Sequence, residues 1–302
     1  MIASRNISSA AAYPAWLAHL ADYWTLTKPE VNSLVLASTL AGFYLAARGS
    51  LDGWLLFHTL LGTLLVASGT GTLNQYLERS TDARMRRTAN RPLPAGRLEP
   101  AQALWFGILI SVVGGAELWV ASNPLASMLA LGTLASYLIL YTPLKRRTPL
   151  CTLVGAIPGA MPPLIGWAAV RNGLSAEAWV LAGILFLWQF PHLLAIAWMY
   201  REDYARAGLQ MLPRHDPDGR LMVRQILGCT LALVPVSLVP AFTGQAGALY
   251  LAGAAILGAA FLYYGARLAA VRTNLLARQL LMASIVYLPL VFALLMFDRV
   301  RS

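Results

Sequence analysis

Charge is what this sequence has least of. Asp, Glu, Lys and Arg make up 12% of its 302 residues, and only 13 of those residues are acidic. A soluble domain carries roughly twice that share, so a solvated globular protein is excluded. Cysteine is nearly absent. Cys151 and Cys229 both fall in or beside apolar runs, give no metal-ligand spacing and leave no basis for a disulfide framework. The four histidines, His19, His58, His192 and His215, do not group either. The N-terminus lacks a secretory signal: one early arginine, Arg5, precedes a weakly apolar stretch broken by Pro14 and His19. Asp22 argues against an organelle-import segment, and the expected element over residues 1–25 is an amphipathic helix lying on a membrane.

What fills the chain instead is apolar. The hydrophobic share is 58% and the mean hydropathy +0.60. Runs of about 20 residues read as membrane spans. Nine are expected, at 31–47, 54–73, 101–120, 125–141, 150–170, 176–199, 226–241, 246–266 and 280–297. The predicted fold is all-α and integral to the membrane, a single polytopic domain over 1–302 with nine helices around an apolar chamber. The formal charge of +10 does not imply nucleic acid. All of the 23 Lys and Arg except Arg48, Arg171, Arg299 and Arg301 lie at the N-terminus or in loops after even-numbered spans. By the positive-inside rule those regions are cytoplasmic, which places the C-terminus on the opposite side.

The densest polar stretch runs from Asn74 to Pro94, straight out of the second apolar run. Asn74, Glu78 and Asp82 recur every fourth residue, so on a helix they share one face. An amide and two carboxylates followed by Arg84, Arg86, Arg87 and Arg91 suit a divalent cation beside a polyanion, because Mg²⁺ commonly bridges one or two carboxylates to phosphates. Two later loops belong to the same membrane face. One carries Lys145 and Arg146; the other carries Glu202, Asp203 and Arg206. Topology accounts for arginines at such a face but not for carboxylates. Together these residues read as a diphosphate site at the mouth of an apolar chamber. The fifth span, with Pro158, Pro162 and Pro163, must kink. The acid-bearing segments after the second and sixth spans form a weak internal repeat.

At these motifs the chain resembles the protohaem IX farnesyltransferase family, within the UbiA-type superfamily of intramembrane prenyltransferases. The resemblance rests on Leu26-Thr-Lys-Pro, on Asn74-x3-Glu78-x3-Asp82 with Arg87-Thr-Ala-Asn-Arg-Pro-Leu-Pro, and on Tyr141-Thr-Pro-Leu-Lys-Arg-Arg. It continues through Ile157-Pro-Gly-Ala-Met-Pro-Pro, Trp188-Gln-Phe-Pro-His, Asp203-Tyr-x3-Gly208 and Ser284-Ile-Val-Tyr. It implies farnesyl transfer from farnesyl diphosphate to a vinyl group of haem B, with addition of water, in a bacterial inner membrane. It also implies hand-over of the product to haem A synthase or a terminal oxidase.

By the same resemblance Asn74, Glu78, Asp82 and Asp203 hold Mg²⁺, and Lys145 and Tyr141 join them at the reacting end. Lys28, Arg87, Asn90, Arg91, Arg146, Gln189, His192, Tyr200 and Tyr204 contact substrate. Two departures stand out. Glu78 occupies a position where the motif usually has Asp, and the second Asp-x3-Asp is replaced by Tyr200-x3-Tyr204 with Asp203 alongside. A prenyltransferase with an aromatic quinone-precursor acceptor shares the metal motif but lacks the haem-branch motifs. A transporter or a haem-handling assembly protein does not require the carboxylate face.

Overall fold

The computed structural model describes residues 14–300, so residues 1–13 of the expected interfacial segment lie outside the described residues. Helix α1 (Ala15–Leu26) leads into α2 (Pro29–Ala46), α3 (Gly53–Asp82), α4 (Pro100–Ala121) and α5 (Pro124–Ala135). From α5 the chain passes through a π-helical turn, Ser136–Tyr141, into the short α6 (Thr142–Leu144). Next come α7 (Cys151–Gly159), α8 (Pro162–Arg171), α9 (Ala176–Met199), α10 (Arg201–Arg206) and α11 (Leu212–His215). The chain closes with α12 (Arg220–Phe242), α13 (Ala248–Ala270) and α14 (Asn274–Phe297).

Among the described residues eight segments are long and apolar enough to cross a membrane, one fewer than the sequence suggested. The exception is α2. Its 18 residues rise about 27 Å at 1.5 Å each, but Asn32, Ser38 and Thr39 lower its hydropathy. These polar groups are satisfied inside the protein. Asn32 donates to Thr27 O and Ser68 Oγ at 2.8 and 2.9 Å, and the two hydroxyls bond back one turn to Leu34 O and Val35 O. Helix α2 packs closely on α8. A Cβ at Gly42 or Gly166 would run into the backbone of the facing helix. A helix that hides this much of itself need not be apolar enough for lipid.

Other differences obey the same logic. The seventh and ninth spans begin at Arg220 and Asn274, six residues before the apolar runs, because the helices continue through polar turns at the membrane edge. The expected kink in the fifth span is a break between α7 and α8, where Pro162 and Pro163 open the second helix and remove two backbone donors. Gln189 of α9 braces this break, donating from Nε2 to Ala156 O at 3.1 Å.

Candidate active site

The site is built where α3 outlasts its apolar run. Asn74, Glu78 and Asp82 occupy successive turns near its C-terminal end, exposed by only 1%, 8% and 1%. Charge buried that deeply requires partners, and each acid has one. Glu78 accepts from Lys145 Nζ through both oxygens, at 2.9 and 3.0 Å. Asp82 accepts from Arg91 Nη1 at 2.7 Å. Asn74 ties the group together: its Oδ1 accepts from Lys28 at 2.7 Å, while its Nδ2 donates to Glu78 at 3.0 Å and to Thr142 at 3.3 Å.

Lys28 reaches this cluster from a left-handed backbone position, φ 54°, at the start of α2. Such a conformation is costly for lysine and persists where the surroundings fix it. Gln75 Nε2 donates to Thr25 O and Leu26 O, and Asn32 Nδ2 donates to Thr27 O, pinning the α1–α2 turn. Burial, and then the Arg91 and Lys145 cations, pull the Lys28 ammonium down to about 7. A bound polyanion removes that penalty. Burial also works against the charge on Lys145, but Tyr141 and Glu78 hold it well above the usual lysine range.

The π-helical turn aims two tyrosines at these cations. Lys145 Nζ lies 4.5 Å from the Tyr141 ring centroid, and Tyr137 sits 4.8 Å from Tyr141. Gly155 makes the room: a Cβ there would stand 2.5 Å from the Tyr141 ring. Below Lys28 and Tyr137 a cavity of about 160 Å³ runs inward between α2, α3, α5 and the α7–α8 break. Its walls are mostly apolar, with Val31, Val35, Val66, Ala130 and Ile165. That volume holds about one benzene ring, so a longer chain must widen it or leave towards the bilayer.

The second acidic segment joins from α10. Asp203 is 9% exposed, pairs with Arg206 and accepts from the Arg87 backbone N–H at 3.4 Å. The Arg87 guanidinium covers the Tyr200 ring at 5.1 Å. Tyr204 packs with Met85, Ala207 and Leu209. Arg146 donates to the Thr81 hydroxyl.

Three expected site residues stand apart. The side chain of Asn90 is exposed and makes no contact with the cluster, and only its carbonyl is used, by Arg97. Gln189 is spent on the α7 brace. His192 stacks on Trp188 at 4.6 Å and bonds Ser284 Oγ at 2.8 Å, with no contact to the α3 acids. Two residues were missed. Thr142 bonds Asn74, and Tyr137 lines the cavity four residues before Tyr141, a spacing that could have marked it.

Among the described residues no group of three or more His, Cys, Asp and Glu stands ready to hold a metal. The donor set nonetheless fits Mg²⁺ of the phosphate-bridged kind, which needs only one or two carboxylates and takes further oxygens from the substrate. Asn74 Oδ1, Glu78 and Asp82 are hard oxygen donors on one buried helix face, and their present partners are cations that a diphosphate would attract away.

Comparison with known proteins agrees with this geometry. The pattern described as the UbiA prenyltransferase family matches residues 35–297. A protoheme IX farnesyltransferase of Solibacter usitatus is 54% identical over 288 residues, covering 92% of this chain and 98% of the relative. A solved structure concerned with digeranylgeranylglyceryl phosphate synthase superposes with a TM-score of 0.77 at 16% identity, covering 93% of this chain and 98% of that one. A UbiA homologue from Archaeoglobus fulgidus bound to GPP and Mg²⁺ superposes at 0.64 and 15% identity, covering 91% and 99%. At these identities the superpositions establish the fold. The chain is an integral membrane protein that belongs to the UbiA prenyltransferase family, in the branch of the protoheme IX farnesyltransferases.

Proposed function

We propose that the chain transfers the farnesyl group of farnesyl diphosphate to a vinyl group of haem B. The observation that carries this reading is the buried Asn74–Glu78–Asp82 face interlocked with Lys28, Lys145 and Arg91 at the mouth of an apolar cavity. The diphosphate occupies that mouth, and Lys28, Lys145 and Arg91 turn to its oxygens from Asn74, Glu78 and Asp82 respectively. Mg²⁺ held by Asn74, Glu78 and Asp82 supplies charge neutralisation of the leaving group.

The C1–O bond breaks with its electron pair leaving on the diphosphate, and fixed cations stabilise the charge that develops there. The faces of Tyr137 and Tyr141 lie beside the allylic cation, where an aromatic quadrupole favours positive charge. The terminal carbon of the haem vinyl attacks C1. Water then adds to the cation left beside the macrocycle and loses a proton, giving a hydroxyethylfarnesyl side chain. The chamber walls keep bulk water from the first cation. Asp203 ties α10 to the segment after α3 through the Arg87 backbone N–H. His192 lies between α9 and α14, held by Trp188 and Ser284.

The site face is cytoplasmic, α1 lies on the membrane surface through exposed Trp16, Leu20 and Trp24, and the compartment is a bacterial inner membrane. Haem O passes to haem A synthase or a terminal oxidase. The test is purified protein with haem B, farnesyl diphosphate and Mg²⁺, read by mass spectrometry of the extracted haem. The expected product is heavier by a hydroxylated farnesyl unit and is absent with EDTA. Diphosphate release with a quinone precursor, but not with haem, would overturn the haem assignment.

A further inference from the structure

Among the described residues, the face opposite the candidate site carries the basic residues Arg48, Arg171 and Arg299. All three line one cavity of about 520 Å³. They come from three separate segments: just beyond α2, the last residue of α8, and just beyond α14. Cations at helix C-termini are favoured by the helix dipole, and Arg299 is used that way. Its Nη1 donates to Tyr44 O at 2.7 Å, its Nη2 donates to Ala47 O, and its guanidinium lies over the Tyr44 ring. Arg48 and Arg171 are different. Both are exposed, and their side chains make no ion pair or hydrogen bond among the described residues.

Arg48 and Arg299 are the cations that face Arg171, and Glu177 is the acid. Among the described residues, three guanidiniums line the cavity against one carboxylate, an excess of two positive charges. Like charges gathered this way repel unless an anion joins them. The rest of the wall mixes the polar side chains of Ser175, Thr243 and Gln245 with an apolar patch of Leu45, Trp167 and Leu174. We propose that this cavity binds an anionic amphiphile, with its phosphate or carboxylate held by Arg48 and Arg171 and its apolar body against Leu45, Trp167 and Leu174. Guanidinium forks suit both anions. Helix α2 separates the two faces by about 27 Å, so the ligand here is not the molecule reacting beside Glu78. Two sources share the chemistry: an anionic phospholipid of that leaflet, and the propionates of a haem held outside the reaction site.

The test uses the purified full chain with equimolar phosphatidylglycerol and phosphatidylcholine, read by native mass spectrometry, and a separate haem B titration read at the Soret band. The wild-type protein should retain phosphatidylglycerol preferentially. Arg48→Gln/Arg171→Gln should lower that retention about tenfold, as expected for losing charge-assisted hydrogen bonds. Arg214→Gln, at an exposed arginine of α11, should leave it unchanged. Loss of one haem equivalent in the double variant, without lipid preference, assigns the cavity to a tetrapyrrole carboxylate and still supports the proposal. Equal lipid retention and equal haem stoichiometry in wild type and double variant would overturn it. Arg48→Gln alone, which lies outside every helix, gives the same comparison should the double variant fail to fold.

Discussion

The two acid-bearing segments stand at matching places in the chain, at the end of α3 and just after α9, yet they are built differently. In the first, the membrane helix simply continues, and three donors share one face at i, i+4 and i+8 with both carboxylates in ion pairs. In the second, the helix stops at Met199, and the acid sits on a separate six-residue helix. There Tyr200 and Tyr204 occupy the positions of the missing acids, and Asp203 pairs with an arginine that is 41% exposed. A rigid, buried row of oxygens can fix an ion and a diphosphate. A short helix with one buried acid, Asp203, beside the exposed Glu202, tied to the Arg87 backbone and packed near Met85, is suited to bracing the loop after α3. The repeat in the sequence therefore hides a division of labour.

The sharpest way to break this comparison is to remove one acid from each segment. Asp82→Asn should lower haem O formation at least about a hundredfold, the scale for losing a group that stabilises developing charge. Asp203→Asn should cost about fivefold or less, because a partly exposed pair is worth at most about 1 kcal/mol. Equal losses in parallel turnover assays would show that both segments hold the ion.

Stability separates the segments in a second way. Lys145→Met leaves Glu78 buried without its cation, and breaking a buried pair costs about 3–5 kcal/mol. The melting temperature of the purified protein should fall accordingly. Glu78→Met/Lys145→Met should regain most of that stability while staying inactive. A double variant as unstable as the single one would mean that the pair is not what holds this end of α3. Glu78→Asp is milder: it should keep activity within about tenfold of wild type and shift the Mg²⁺ concentration for half-maximal rate, the scale seen when a metal's surroundings change.

How far each residue could be read beforehand depends on what fixes its position. Asn74, Glu78 and Asp82 were legible because helical periodicity alone puts them on one face, whereas Lys145 and Arg91 were legible only through the motifs that carry the resemblance, since topology by itself accounts for basic residues at that face. Tyr137 and Thr142 were not. Both sit in or beside an apolar run, and their direction depends on a π turn that shifts the helix beyond it by about one residue, roughly 100°. The α2 crossing was expected, but its polar residues make sense only once α3 is seen to satisfy Asn32 through Ser68. His192 was placed among the substrate contacts by its motif. Its bond to Ser284 depends on α14, 92 positions away, and no local pattern encodes it.

The smallest expected effect tests whether the tyrosines of the second segment are vestiges of ligands or packing residues. Tyr204 lies in an apolar group with Met85, Ala207 and Leu209, and its hydroxyl makes no hydrogen bond among the described residues. If packing is its role, Tyr204→Phe keeps the ring and should change turnover by less than about twofold, since surface-side substitutions away from a polar network fall within about 0.5 kcal/mol. Tyr204→Asp, which restores one of the two missing acids, should then lower activity by putting an unpaired carboxylate among Met85 and Leu209. A gain in Mg²⁺ affinity from Tyr204→Asp, with turnover intact, would instead make the second segment a dormant copy of the first.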